Sequence, residues 1–224
     1  MLAPMAHPVV VISGGEDFLA EREVQRILRA LRAADPTIER RDVDASSDGA
    51  NAEFADAIAP SLFGESAVVV VDNIEQASEP LQKTILETID SAEDAHKVLL
   101  VQRGLQKGRA FMDKLKKSDA AQVSFEKLKG RAFDEFITNE CKMLKRKISA
   151  DAVRALRSAI GDDVRALAAA VSQLCSDLDS NPIDASDVEQ YYEGIAGVST
   201  FAISDAVFEG RTVAALTSLR WAIE

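Results

Sequence analysis

The stretch "PVVVISGGEDFLAE", residues 8–21, decides the fold. Its first part, "PVVVIS" (8–13), is a continuous apolar run rather than an alternating one. That is the pattern of a parallel strand covered on both faces. Gly14 and Gly15 then turn the chain into a predicted helix near 16–34, where Phe18, Leu19, Val24, Ile27, Leu28 and Leu31 recur at helical spacing.

The same rhythm continues outward. "IERRDVD" (38–44) alternates and predicts a strand near a sheet edge, and a short helix is expected over 51–58. In "IAPSLFGESAVVVV" (58–71), Ala67 to Val71 read as a buried strand, while Leu62 and Phe63 fall in a loop between Pro60 and Gly64. Ser78 is a candidate cap for a helix with Pro80 in its first turn and Leu81, Ile85, Leu86 and Ile89 facing inward. "KVLLVQ" (97–102), a helix over 110–117 and "AQVSF" (121–125) complete an α/β domain on a mostly parallel sheet.

After Phe125 no strand pattern remains. Amphipathic helices are predicted near 130–146, 150–159, 164–178 and 185–193, with Ser149 capping the second. Asp184 is expected to cap the fourth, with Asp187 three residues on. "GIAGVST" (194–200) reads as a linker to two further helical segments, "FAISDAVFEG" and "VAALTSLRWAIE". The last stops on a helical pattern, so a third region is expected to be incomplete.

Composition narrows the classes. The 224 residues carry a formal charge of −11, which argues against a surface that grips nucleic acid throughout. From Arg103 to Arg157, however, bases outnumber acids by about eight, a local basic face. Cys141 and Cys175 share no short spacing, which fits a reducing cytoplasm and offers no metal framework. The N-terminus lacks the basic start and apolar core of a signal peptide, and no apolar run approaches the roughly 20 residues of a membrane span.

Catalytic constellations are missing where this fold would place them. A phosphate-cradling loop needs glycines, a lysine for the phosphates and a hydroxyl for magnesium. Gly14 and Gly15 supply the turn, but Glu16 and Asp17 stand where an anion would bind, and no lysine follows until Lys83. Two acids at a helix N-terminus stabilise its macrodipole without any ligand. Asp72 ends its strand where an ATPase would hold magnesium, yet Asn73 follows it instead of a glutamate. His7 and His96 have no nucleophile or ligand spacing near them and read as surface residues. "CKMLKRK" (141–147) offers Lys142, Lys145, Arg146 and Lys147 as a weak candidate for phosphate contact, beside the plainer reading of a solvated helix end.

The order and spacing of four stretches resemble the delta subunit of bacterial DNA polymerase III, a clamp-loader component. "PVVVISGGEDFLAEREVQRIL" is similar to the family's opening strand, Gly-x-(Glu/Asp)-x-Phe-Leu and helix. "APSLFGESAVVVVDN" is similar to its Ser-Leu-Phe element and following strand. "AFDEFITNECKMLKRKISADAVRALRSAIGDDVRALAAAVSQL" looks like its second domain, with the Gly-x-Asp-x-Arg turn, and "FAISDAVFEGRTVAALTSLRW" like the start of its collar domain.

The resemblance implies an AAA+-like α/β domain without functional nucleotide motifs over 1–126, a helical lid-like domain over 127–196, and the start of a helical collar domain over 197–224. Family members run roughly a hundred residues longer, about one helical domain. It implies a non-enzymatic part of the polymerase III holoenzyme that needs no cofactor. Its wedge would be Ser61, Leu62 and Phe63, preceded by Pro60, entering the hydrophobic peptide pocket of the sliding clamp (the beta subunit). Implied partners are that clamp, the gamma/tau ATPase and delta-prime subunits through the collar, and primer-template DNA in the full assembly. The implied place is the cytoplasm, at the nucleoid-associated replisome, with no membrane. From the residues alone, Leu62 and Phe63 are expected in the core, as most large apolar side chains are; the resemblance reverses that expectation. A nucleotide-dependent ATPase with an unconventional loop and a DNA-binding protein are the alternatives.

Overall fold

The computed structural model describes residues 7–60, 66–91, 96–103 and 107–196. The chain divides into two compact units, Met1–Lys127 and Leu128–Glu224. The start of the expected collar, 197–224, lies outside the described residues.

In the first unit, β1 (Val9–Gly14), β2 (Glu39–Asp44), β3 (Ala67–Asp72), β4 (His96–Val101) and β5 (Ala121–Phe125) form one sheet. The order is β2-β3-β4-β1-β5 and every neighbouring pair is parallel. The edge position expected for 38–44 is the one β2 occupies. Helices α1 (Asp17–Ala34), α2 (Ala50–Ile58), α3 (Glu79–Ser91) and α4 (Arg109–Lys117) cover the faces. Because side chains alternate along a strand, the apolar runs divide between two cores. Val9, Val11, Val69, Val71, Val98 and Leu100 pack with Phe54, Leu81, Ile85, Ile89, Phe111 and Leu115 of α2, α3 and α4. Val10, Ile12, Val68, Val70, Leu99 and Val101 pack with Ala20, Val24, Ile27 and Leu28 of α1. Phe18 and Leu19, expected at the head of the inward stripe, are only half-buried. The stripe begins at Ala20, and Phe18 instead lies 5.3 Å under the Arg22 guanidinium.

The second unit comprises α5 (Arg131–Met143), α6 (Ala150–Ile160), α7 (Val164–Asp177) and α8 (Ala185–Ala196). Helix α5 packs on α6 and α7, and α6 packs on α7 and α8. Phe133, Ile137, Leu156, Leu167, Val171 and Leu174 are buried in its core. The caps predicted in this unit are in place. Ser149 accepts from the Ala152 N–H at 3.1 Å. Asp184 and Asp187 each accept from the other's backbone N–H, at 3.1 and 2.9 Å, a reciprocal box that satisfies two donors at the head of α8. The Gly-x-Asp-x-Arg turn is a helix stop followed by a helix start. Gly161, at φ +86°, ends α6, and Asp163 caps α7 by accepting from the Ala166 N–H at 2.8 Å.

Two boundaries differ from expectation. Helix α5 ends at Met143 rather than 146, because Lys145 turns left-handed at φ +59°. The Arg146 N–H then bonds the Cys141 carbonyl and the Lys145 N–H bonds that of Lys142, both at 2.9 Å. This is the paired closure of a Schellman end, with lysine where glycine is usual. Helix α8 continues to Ala196, into the stretch read as a linker from Gly194.

Candidate functional site

The sheet offers two loci with chemical potential, at opposite edges. All five strands run the same way, so loops entering strands gather at one edge and loops leaving them at the other. Six-residue strands separate these edges by about 20 Å.

The leaving edge is where a parallel α/β sheet ordinarily receives a ligand. Here several of its described groups are bonded to one another. The Gly15 N–H, a cradle amide in a phosphate loop, donates to the Phe125 carbonyl at the end of β5, at 2.9 Å. Gly14 sits at φ +139°, and a Cβ there would fall 1.8 Å from the Phe125 carbonyl oxygen. The two glycines that look like a phosphate loop therefore let β1 close onto β5. Asp72 receives two bonds from the Arg103 guanidinium, at 2.6 and 2.7 Å, in fork geometry. This pairing raises the Arg103 pKa above its ordinary value, the bond to Asp72 being the main cause. Buried Glu75 accepts from the Arg103 N–H at 3.3 Å. Asn73, itself at φ +55°, donates to Asp44 at 2.9 Å, and bonds from Asn73 and Ser46 hold the Asp44 carboxyl below the usual carboxylate range.

At the entering edge, α2 runs into β3 through the Leu-Phe connection. Ser61, Leu62 and Phe63 lie outside the described residues; Pro60 is described and exposed. Ala59 is extended at φ −61° and ψ 138°, the conformation a following proline imposes, so α2 stops at Ile58. The neck on either side is firmly bonded. Arg41 of β2 donates to the Ala57 carbonyl at 2.9 Å. The His96 ring accepts from the Ala67 N–H at 3.1 Å through Nδ1, and its Nε2 lies 3.0 Å from the Ala59 carbonyl. His96 is 6% exposed, which corrects its reading as a surface residue. Sequence reasoning missed it because strand register, which sets His96 opposite Ala67, is not written in local spacing. Arg103 was missed for the same reason.

The basic stretch lies at the end of α5. Lys142, Lys145 and Lys147 are exposed, beside Met143 and Leu144, which are 60% and 45% exposed. Arg146 is turned to other work, a correction to its grouping with the three lysines. Its guanidinium donates to the carbonyls of Cys175, Leu178 and Ser180 at 2.7, 2.7 and 2.6 Å, gathering the end of α7. Lys142 also borders a cleft of about 420 Å³ between α5 and α6, lined with it by Asp134, Glu135 and Arg154. The two thiols, distant in sequence, lie 4.0 Å apart between α5 and α7. Burial, with Cys175 beside it, pushes the Cys141 thiol up to about 12. Among the described residues no group of three or more acidic, histidine or cysteine side chains is placed to hold a metal, and no helix is long and apolar enough to cross a membrane.

The fold defines an α/β class: a five-stranded parallel sheet of order β2-β3-β4-β1-β5 flanked by helices. Among solved structures, the chain is similar to the DNA clamp loader delta protein of Bacillus subtilis (YqeN). The TM-score is 0.66 at 18% identity, covering 97% of this chain and 67% of that one. The RuvB Holliday junction branch migration motor of Thermotoga maritima matches at a TM-score of 0.47 and 11% identity, covering 91% and 69%. A Walker-type ATPase of Pyrococcus abyssi matches at 0.44 and 11%, covering 92% and 71%. No protein-family model and no curated protein matches the sequence.

Proposed function

We propose that this chain acts as a clamp-loader delta subunit, binding a ring-shaped DNA sliding clamp through Ser61, Leu62 and Phe63 and helping to open it for loading onto DNA. The observation that carries the proposal is the likeness of fold, over 97% of the chain, to a clamp loader delta protein. Pro60, the last described residue before the Ser-Leu-Phe stretch, is exposed, which agrees with that reading. Burial of a Leu and a Phe in an apolar pocket contributes on the order of 1.5–3 kcal/mol each. Two such anchors act as hot spots in a modest interface. Ring opening then follows from differential affinity: the chain binds the opened clamp better than the closed one.

In this reading the chain hydrolyses nothing. The self-bonded leaving edge supports that: Gly15 is used by Phe125, and Asp72 by Arg103. ATP-driven partner subunits of the gamma/tau and delta-prime kind would govern when the wedge is available, with primer-template DNA entering the assembled complex in the cytoplasm. The same commitments disfavour the ATPase alternative. The exposed lysines at 142, 145 and 147 leave contact with DNA open only within such an assembly.

The test is binding of the chain to the sliding clamp of its own organism, wild type against Leu62→Ala/Phe63→Ala, with circular dichroism of both. Binding that vanishes in a folded double variant is the expected result. A wild type that does not bind, or a folded variant that binds equally, refutes the proposal.

A further inference from the structure

Two thiols distant in sequence meet inside the helical unit. Cys141 lies in the last turn of α5 and Cys175 in the last turn of α7, 34 positions on, and the Cys175 thiol donates to the Cys141 sulfur at 4.0 Å. One residue holds both ends in place. The Arg146 main-chain N–H bonds the Cys141 carbonyl at 2.9 Å, and its guanidinium bonds the Cys175 carbonyl at 2.7 Å. The sulfurs differ in access: Cys141 is 1% exposed, whereas Cys175 is half-buried. The sequence holds no third cysteine to compete for either. A disulfide requires sulfurs about 2.05 Å apart, so a gap of about 2 Å remains, within reach of a rotamer change at Cys175.

We propose that Cys141 and Cys175 form a reversible oxidation site, at which a peroxide reacting with Cys175 leads to an intramolecular disulfide joining the end of α5 to the end of α7. The first step belongs to the reachable sulfur. The Cys175 thiolate attacks one peroxide oxygen, the O–O bond breaks, and the second oxygen leaves as water once protonated; Cys175 becomes a sulfenic acid. The Cys141 sulfur then attacks that of Cys175, the S–O bond breaks, and a second water carries away the Cys141 proton. The two sulfurs lose two electrons in all, and the peroxide gains them. A dithiol reductant reverses the product by thiol–disulfide exchange and is itself oxidised. Two structural cysteines would also touch. What sets this pair apart is the asymmetry of access, together with the single arginine that ties both cysteine carbonyls. The product closes a covalent loop around α6, which restricts the unfolded chain and should raise the stability of the helical unit. The site is independent of the function proposed above.

The experiment treats the full chain with hydrogen peroxide and alkylates the remaining thiols in denaturant. Intact mass, peptide mapping and a non-reducing gel then read the products. The expected result is a monomer in which Cys141 and Cys175 share one cross-linked peptide, resist alkylation and return to free thiols with dithiothreitol. Its Tm should rise by roughly 5 °C or more and fall back on reduction. In Cys175→Ser, Cys141 should be oxidised at least tenfold more slowly than Cys175 is in wild type. The proposal is overturned by Cys175 carried to sulfinic acid beside a free Cys141, by dimers linked between chains, or by thiols that stay reduced. Loss of the helical circular dichroism on oxidation, or an unchanged Tm in the cross-linked monomer, overturns the staple. Oxidation of Cys141 in Cys175→Ser at the wild-type rate overturns the order of the two steps.

Discussion

Replacing Arg146 with alanine should unfold the helical unit well below the wild-type transition. The guanidinium makes three bonds to main-chain carbonyls at 2.6 to 2.7 Å, closing the C-terminal end of α7 and the turn beyond it. Bonds from a charged donor contribute about 1.5–3 kcal/mol each when well buried. Arg146 is half-buried, and its Nε has no partner among the described residues, so about 1 kcal/mol per bond, below that range, applies. A loss of about 3 kcal/mol is expected, with α7 carbonyls left to water. For a unit of this size that is a fall in Tm of roughly 12–24 °C. Arg146→Lys should recover only part of it, since an ammonium cannot reproduce the fork that reaches three acceptors. Scanning calorimetry with urea unfolding measures the loss, and amide exchange places it in α7. Alanine at Lys142, Lys145 and Lys147, all exposed, should each stay within about 0.5 kcal/mol of wild type. If Arg146→Ala melts with them, the carbonyl-gathering role is wrong, and the residue returns to the group available for phosphate.

Gly14→Ala should destabilise the first unit by more than about 3 kcal/mol, because the new Cβ would meet the Phe125 carbonyl at 1.8 Å in a backbone conformation L residues avoid; an unchanged urea midpoint would refute it. Lys145→Gly should stabilise the end of α5 by about 0.5–1 kcal/mol by relieving a left-handed non-glycine residue, and a loss of stability would count against the Schellman closure. In thiol alkylation near pH 8, Cys175 should react first and buried Cys141, held up at about 12, at least tenfold more slowly. Equal rates in the native protein would contradict that burial.

Residues whose neighbours in sequence are also their neighbours in space were legible. The continuous run at 8–13 gave away a strand buried on both faces, and Ser149 and Asp184 cap the helices they precede, with Asp187 closing the box from the first turn. Contacts made across strands were not. Nothing near His96 predicts that register sets it opposite Ala67, and nothing near Asp72 names Arg103, thirty-one residues away, as its partner. The reading of Gly14 and Gly15 shows the same limit from the other side. Their neighbours argued against a phosphate site, but only the approach of β5 explains why glycine stands there. At the end of α5, helical periodicity persisted past the point where Lys145 turns the chain. The apolar pattern alone therefore carried the helix three residues too far and left Arg146 on a solvated face.

Strand β3 ties these observations into one argument. Its first residue, Ala67, donates its N–H to His96, and its last, Asp72, is paired with Arg103 at the edge where a parallel α/β sheet ordinarily receives a ligand. A strand fixed at both ends and buried on both faces transmits little bending, so any partner acting at one edge must act by moving the unit as a body. If the chain binds a clamp as proposed above, a rigid mount is the mechanical expectation. Binding energy gained at the entering edge would be spent on the partner's interface, not on rearranging this sheet. The consequence can be checked through the pair itself. Asp72→Asn weakens the Arg103 contact about 20 Å from the connection. If the sheet is a passive mount, it should cost roughly 1 kcal/mol of stability, the contact being about one-third exposed, and leave clamp affinity unchanged. A folded Asp72→Asn that alters clamp binding tenfold would mean instead that the two edges are coupled through β3.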